Sequence, residues 1–462
     1  MFNEELNLFQ FQVSIILLIV LLYYEWRIWK IRCLISPAFY FAIIWLMGSI
    51  ALIILHQFDV YVEAHPEYLN ELNLYVCFTA VCFIIISGFG KNKITKGNIE
   101  LHFFHDETFF AFLSIIYFLG SLVEFIAFGA NFNIANSRLV SHVNIANRYS
   151  IIAIISNLSI PLSVFAGYKI ISKIVLRQKY NLFESILYLL PLFSSLIFSI
   201  NLGGRVEITY SFVRYIVGGV LALEKNVKFY NIKKIIISFL LIVFMIIIYI
   251  YINGSLRTKD SNNINQYTLN LYLRKYSPLL VPLQEPMLYA LSSYNGYQYR
   301  RIDAVDLTHL GYGMYTFNGF INWTLPFLGR FGLKNLSIAK LFNIYYDVKE
   351  TYDYERIFYF TTHSCYLTII KDFGQYGAFG GILLLTIVAH FVFVCLQTRQ
   401  EYKYSYYLWP YFLFFEYWCK SNFLGTLSSS VLNSLLGFLM VDIGNIIWKN
   451  LKKLSIMNNI RI

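Results

Sequence analysis

Two short stretches carry residue types that could bind and activate a phosphorylated substrate. The first is Asn201-Leu202-Gly203-Gly204-Arg205-Val206-Glu207. Two glycines allow a tight turn and the close approach of a neighbour, and the guanidinium of Arg205 offers a rigid fork matched to phosphate oxygens. The same residues also fit a plain turn whose arginine snorkels to lipid headgroups. Arg214 lies nine positions further on, inside an apolar run, where an ionisable side chain is expensive and faces protein rather than lipid. Glu124 is an acidic residue available as its counter-ion. A structural ion pair accounts for such an arginine as well as substrate binding does.

The second stretch is Thr362-His363-Ser364-Cys365-Tyr366-Leu367, followed by Asp372-Phe373-Gly374-Gln375-Tyr376-Gly377. Imidazole titrates near neutrality, so His363 is suited to take the proton of an attacking hydroxyl; an interfacial histidine bonded to backbone is the plainer alternative. Upstream lie Arg257, Arg274, Lys275, Arg300, Arg301, Arg330 and Arg356. A cluster of this sign suits a polyanionic or pyrophosphate-bearing substrate, although solvated surface charges have the same composition. Arg257 directly follows an apolar run and Arg356 precedes His363 by seven residues, so either could help close a clamp on pyrophosphate. Asp59 and Glu63 are candidates for a metal or base site, in a loop whose four carboxylates, with Glu67 and Glu71, read equally well as topology.

What must position these residues is a membrane-embedded scaffold. Of the 462 residues 58% are hydrophobic and only 14% charged, and mean hydropathy is +0.56, against roughly a quarter charged in ordinary globular domains. On the criterion of about 20 apolar residues per crossing, about eleven spans are expected, centred near residues 17, 45, 80, 118, 160, 191, 215, 244, 386, 412 and 435. The architecture is therefore all-α, a polytopic transmembrane bundle. Lys and Arg collect in alternate loops, at Arg27, Lys30 and Arg32, at Lys91 and Lys93, at Lys173 and Arg177, at Lys225 to Lys234, at Arg399 and Lys403, and in the tail at Lys449, Lys452 and Lys453. Short cytoplasmic loops are the ones that hold such residues. The N-terminus is thus expected outside and the C-terminus inside.

The net charge of +11 is distributed among these loops rather than in one stripe, which argues against a nucleic-acid partner. Residues 1–252 read as an N-terminal bundle of about eight spans, 253–362 as one large outer loop or cap, and 363–462 as a C-terminal region of about three spans. Two moderately apolar stretches of the loop, 279–291 and 315–328, are expected on or re-entering the membrane surface. The acidic start MFNEELN does not read as a cleaved signal. The six cysteines show no CxxC spacing, so neither a metal site nor a disulfide framework is expected.

With Gly203, Gly204 and Arg205, then His363, Ser364 and Leu367, then Phe373, Gly374 and Gly377, the chain resembles the bacterial O-antigen and capsule repeat-unit polymerases, the Wzy class, and more distantly the O-antigen ligases. Gly204 departs from the pattern, in which Ser is common. The resemblance implies a multi-pass protein of the bacterial inner membrane, akin to the GT-C-type glycosyltransferases, with its large loop in the periplasm. It implies an inverting, metal-independent polymerase that needs no cofactor and uses undecaprenyl-pyrophosphate-linked oligosaccharide as donor and acceptor. A separate chain-length-regulating membrane protein is the partner it implies. Arg205 would stabilise the leaving pyrophosphate and His363 would accept the hydroxyl proton, with Arg214, Arg257, Arg300, Arg330 and Arg356 as candidates for holding pyrophosphate or glycan. Two other functions suit a polytopic chain: a metal-dependent polyprenyl-phosphate-sugar glycosyltransferase using Asp59 or Glu63, and a transporter of polysaccharide or lipid-linked oligosaccharide. A transporter is expected to show helices broken by Gly or Pro in corresponding halves.

Overall fold

A computed structural model describes residues 5–58, 65–93, 99–127, 150–176, 181–201, 206–223, 291–301, 310–312, 316–317, 364–419 and 429–459. They are almost wholly helical. The first four helices are α1 (Leu8–Trp29, continued by a 3-10 turn at Lys30–Ile35), α2 (Pro37–Gln57), α3 (Pro66–Ile86) and α4 (Glu107–Ala127). Next come α5 (Ser150–Ser156), α6 (Ser159–Val175), α7 (Leu182–Asn201), α8 (Val206–Leu221) and α9 (Ser292–Arg301). The chain closes with α10 (Cys365–Thr398), α11 (Trp409–Cys419) and α12 (Ser429–Asn459).

Local sequence explains where these helices start. Asn7 caps α1 by accepting the Gln10 N–H at 3.1 Å, and Asp106 caps α4 by accepting that of Phe109 at 2.8 Å. Pro37 and Pro66 occupy the first turns of α2 and α3, where a missing N–H costs nothing.

Six segments are long and apolar enough to cross a bilayer: Leu8–Ile35, Pro37–Gln57, Pro66–Ile86, Glu107–Ala127, Ile154–Ile174 and Cys365–Thr398. Two shorter apolar helices, Phe183–Phe198 and Tyr210–Leu221, accompany them. The protein is therefore an all-α, multi-pass membrane protein. Of the expected centres, residue 244 lies outside the described residues, and at the centre near 412 the described helix is α11, after which residues 420–428 lie outside the description.

Close packing between α6 and α8 depends on small residues. A Cβ on Gly167 would collide with the backbone of Tyr215, and one on Gly218 with the carbonyl of Val164; glycines of this kind let membrane helices approach backbone to backbone.

The described parts of the basic loops lie at one end of the bundle. There Glu100 and Leu101 pair in parallel with Glu401 and Tyr402, Ile99 N–H donates to Leu221 O at 3.0 Å, and Tyr411 donates to Ile35 O at 2.7 Å. Lys452 of α12 reaches Asp106 at the same end. At the opposite end, Asn7 N–H donates to Asn70 Oδ1 at 3.0 Å and His65 N–H to Gln298 Oε1 at 3.2 Å. The start of α1 and the last turns of α12 thus lie at opposite ends of the bundle. The second of these ends is called the outer end below.

Candidate functional site

The outer end holds a buried polar cluster built from α3, α9 and α10. On α3, Glu71, Tyr75 and Thr79 follow at intervals of four and so share one face. Glu71 is fully buried and accepts four donors: Arg301 Nε at 2.9 Å and Nη2 at 3.3 Å, Gln375 Nε2 at 2.8 Å and the Tyr75 hydroxyl at 3.5 Å. The Arg301 guanidinium also lies over the Tyr68 ring, 5.6 Å from its centroid. A carboxylate committed to this many donors is not free to act as a general base, and the Arg301 charge is compensated in the same stroke.

What brings Gln375 to Glu71 is a reversal inside α10. Gly374 has φ 74° and ψ 172°, a region essentially reserved for glycine. In an uninterrupted helix Ile369 and Gly381 would be about 18 Å apart. Instead a Cβ on Gly381 would lie 3.0 Å from Ile369 Cγ2 and 2.9 Å from Phe373 Cδ2, so residues 365–373 and 375–398 form an antiparallel hairpin. Tyr366 hydrogen-bonds Thr79 at 2.8 Å while Gln375 meets Glu71. Eight residues of α3 separate those partners, which places Tyr366 about 12 Å deeper than the turn.

The short arm therefore begins inside the bundle at Ser364, which is fully buried, and rises to the outer end. There Gly311 and Tyr312 donate to the carbonyls of Lys371 and Asp372, each at 3.0 Å, and Thr316 N–H donates to Asp372 Oδ2 at 2.7 Å. These bonds supply partners for carbonyls that a helix end leaves open.

Helix α9 is inserted into the bundle beside this hairpin. Its Tyr294 hydroxyl bonds Ser49 at 2.9 Å, and its ring centroid lies 5.2 Å from that of Trp45, both partners in the middle of α2. This segment falls within the stretch read from sequence as an outer loop, and its described helix packs among spans.

A second polar centre lies within the bundle. Arg214 donates from Nη2 and Nε to Glu416 Oε1 at 3.1 and 3.4 Å and from Nη1 to Ser159 Oγ at 3.0 Å. Arg214 is 6% and Glu416 3% exposed. Ser159 follows the break between α5 and α6, where a Cβ on Gly437 would collide with Asn157 O. Glu124 is fully buried on α4.

Of the residues singled out from sequence, Arg214 is thus placed, and placed in an ion pair. Arg300 lies on α9, and its side chain is outside the description. Arg205, Arg257, Arg330, Arg356 and His363, and with them Asp59 and Glu63, lie outside the described residues. Among the described residues, no group of three or more His, Cys, Asp or Glu is spaced to hold a metal ion. Sequence reading did not single out Glu416, although a lone carboxylate in the run Trp409–Cys419 is the intramembrane signal that marks Arg214. Glu71 was read as loop topology because it is the last of four nearby carboxylates. Comparison with family models, with curated proteins and with solved structures returns no match for the chain.

Proposed function

We propose that the protein is an integral-membrane glycosyltransferase that joins undecaprenyl-pyrophosphate-linked oligosaccharide units into O-antigen, capsule or a related surface polysaccharide. The observation that supports this reading is that α7 ends and α8 begins at the outer end, on either side of the stretch that carries Arg205, and that the hairpin turn at Gly374 reaches the same end beside Glu71. Ser364, next to His363 in the chain, lies inside the bundle at the foot of the arm that rises to that turn. By the rule that short basic loops are cytoplasmic, the outer end is the periplasmic one.

In this reading a sugar hydroxyl of the acceptor attacks the anomeric carbon of the donor. The C–O bond to undecaprenyl pyrophosphate breaks, the hydroxyl proton passes to His363, and the leaving group carries its negative charge against Arg205. Fixed cations in a poorly hydrated site act strongly on such developing charge. In-line displacement inverts the anomeric carbon. Arg257, Arg300, Arg330 and Arg356 would hold pyrophosphate or glycan, and a chain-length regulator would act on the product.

The test is surface polysaccharide from a null strain complemented with wild type, Arg205→Ala or His363→Ala, with membrane levels matched. Collapse of the ladder to a single repeat unit in both variants is expected. A ladder that persists in the null strain would overturn the reading.

One observation favours a second reading. The interruption between α5 and α6, beside the buried Arg214–Glu416 pair, is like the broken helices of transporters that carry substrate at mid-membrane. In that case the null strain would retain lipid-linked repeat units on the cytoplasmic leaflet and show no capped single unit. A metal-dependent transferase using Asp59 or Glu63 would instead lose activity with chelator.

A further inference from the structure

Helix α9 is out of character with its surroundings. Its sequence, Ser-Ser-Tyr-Asn-Gly-Tyr-Gln-Tyr-Arg-Arg, contains no aliphatic residue and a central Gly296, a composition poor in helix formers. Yet Tyr294, Tyr297 and Gln298 are fully buried and Arg301 nearly so. Directional polar contacts attach it, among them Tyr294 to Ser49, Gln298 to the His65 N–H, and Arg301 to Glu71. A buried ion pair adds little net stability once the cost of dehydrating both charges is met.

The surface that α9 covers has a chemistry of its own. Tyr294 packs against Phe11 and Trp45 and bonds Ser49, and Arg301 covers Tyr68 and bonds Glu71. Aromatic faces thus alternate with a hydroxyl and a carboxylate along one cleft. Such a lining suits a pyranose chain, whose C–H faces pack on aromatic rings and whose hydroxyls donate to fixed oxygens. The present occupant makes contacts of a related kind, by tilted and edge-on ring contacts of Tyr294 and by hydroxyl, amide and guanidinium hydrogen bonds.

We propose that this cleft is a saccharide-binding chamber opening at the outer end, and that α9 is its displaceable plug, latched by Arg301 on Glu71. The saccharide assignment rests on the glycosyltransferase reading above; the plug itself does not. Displacement breaks no covalent bond. It exchanges the contacts of Tyr294, Gln298 and Arg301 for those of the incoming chain, and it exposes Ser49, which α9 now covers from the middle of α2.

The test uses the full-length protein carrying Ser49→Cys in open membrane sheets, with a charged maleimide reaching both faces and labelling at position 49 read by peptide mass spectrometry. Slow labelling is expected with Glu71 intact, and a rise of at least ten-fold in Glu71→Gln. The exchanged pair Glu71→Arg with Arg301→Glu should return labelling to the slow rate. No rise in Glu71→Gln would overturn the plug. A rise that the exchanged pair does not reverse would overturn it equally, because loss of the fold would then be exposing position 49. For the occupant, the Glu71→Gln protein is labelled in membranes from a strain that accumulates lipid-linked repeat units and from one blocked at the first sugar transfer. Protection only in the first supports a saccharide chamber, and equal labelling overturns it. The polysaccharide ladder is read separately, so failure of the polymerase reading and failure of the chamber give different results.

Discussion

Arg214 and Glu416 illustrate what one charge does to an apolar interior. Each is nearly inaccessible, and each is tolerable because the other is there. Removing one partner leaves a buried charge uncompensated, at a cost of about 3–5 kcal/mol, whereas replacing both with apolar groups of similar size is often close to neutral. Arg214→Met and Glu416→Leu are therefore each expected to lower the thermal midpoint in detergent, and the double variant to recover most of the loss. A double variant as unstable as either single one would show that this pair is not what holds the region. The same set of variants separates structure from substrate binding. If Arg214 also meets the pyrophosphate, the double variant recovers stability without recovering polymer. Arg214 was legible in the sequence because a lone cation in an apolar run must face protein. Its partner was not, since 202 positions separate the two and nothing local points from one to the other.

Among the elements, the hairpin in α10 depends on two glycines for different reasons. Gly374 is needed for its backbone: the nearest atom to an added Cβ, Leu310 Cδ2, is 3.6 Å away, so Gly374→Ala meets no obstacle except a φ of 74°. The expected cost is about 1–3 kcal/mol, seen as a lower thermal midpoint with membrane insertion retained. Gly381 is needed for space, because its Cβ would press on both Ile369 and Phe373 of the facing arm. Gly381→Val is expected to be the more damaging of the two and to reduce the amount of folded protein recovered from membranes. Equal effects would show that the arms are not closely packed.

The Phe373-Gly374-x-x-Gly377 pattern lies where the long arm of α10 begins. The depth of the arm before it was not readable, because residues 365–370 are as apolar as the span that follows and hydropathy carries no sign of direction. The reverse difficulty hid α9, since hydropathy scores a side chain against lipid and Tyr294, Gln298 and Arg301 are solvated by other protein groups.

For the whole molecule, two of the basic regions set apart by the alternation of Lys and Arg come together where they are described: Lys452 of α12 reaches Asp106 at the start of α4. This contact joins the last described helix to the first half of the bundle. Partial burial pushes the Asp106 carboxyl up, but the Lys452 ammonium, the Thr108 hydroxyl and the Phe109 N–H outweigh that and hold it well below the usual carboxylate range. A folded-state value below the unfolded one, about 3.9 for Asp, stabilises the fold at every pH above the unfolded value. That contribution is lost as pH falls below the unfolded value towards the folded one. Asp106→Asn keeps a side-chain oxygen to cap α4 but removes the charge, and at an accessible site such a pair contributes about 0–1 kcal/mol. The difference in thermal midpoint between wild type and Asp106→Asn is therefore expected to be small and to be lost as pH falls below about 4. Lys452→Ala made in both backgrounds completes the argument. If the ammonium is what depresses the carboxyl, the Asp106→Asn difference largely disappears once Lys452 is gone. If it persists at full size, the cap on α4 rather than the link to α12 is what the charge serves, and the two halves of the bundle are joined instead through Asn445 of α12, whose Oδ1 accepts the His105 N–H at 2.7 Å, and through the paired strands.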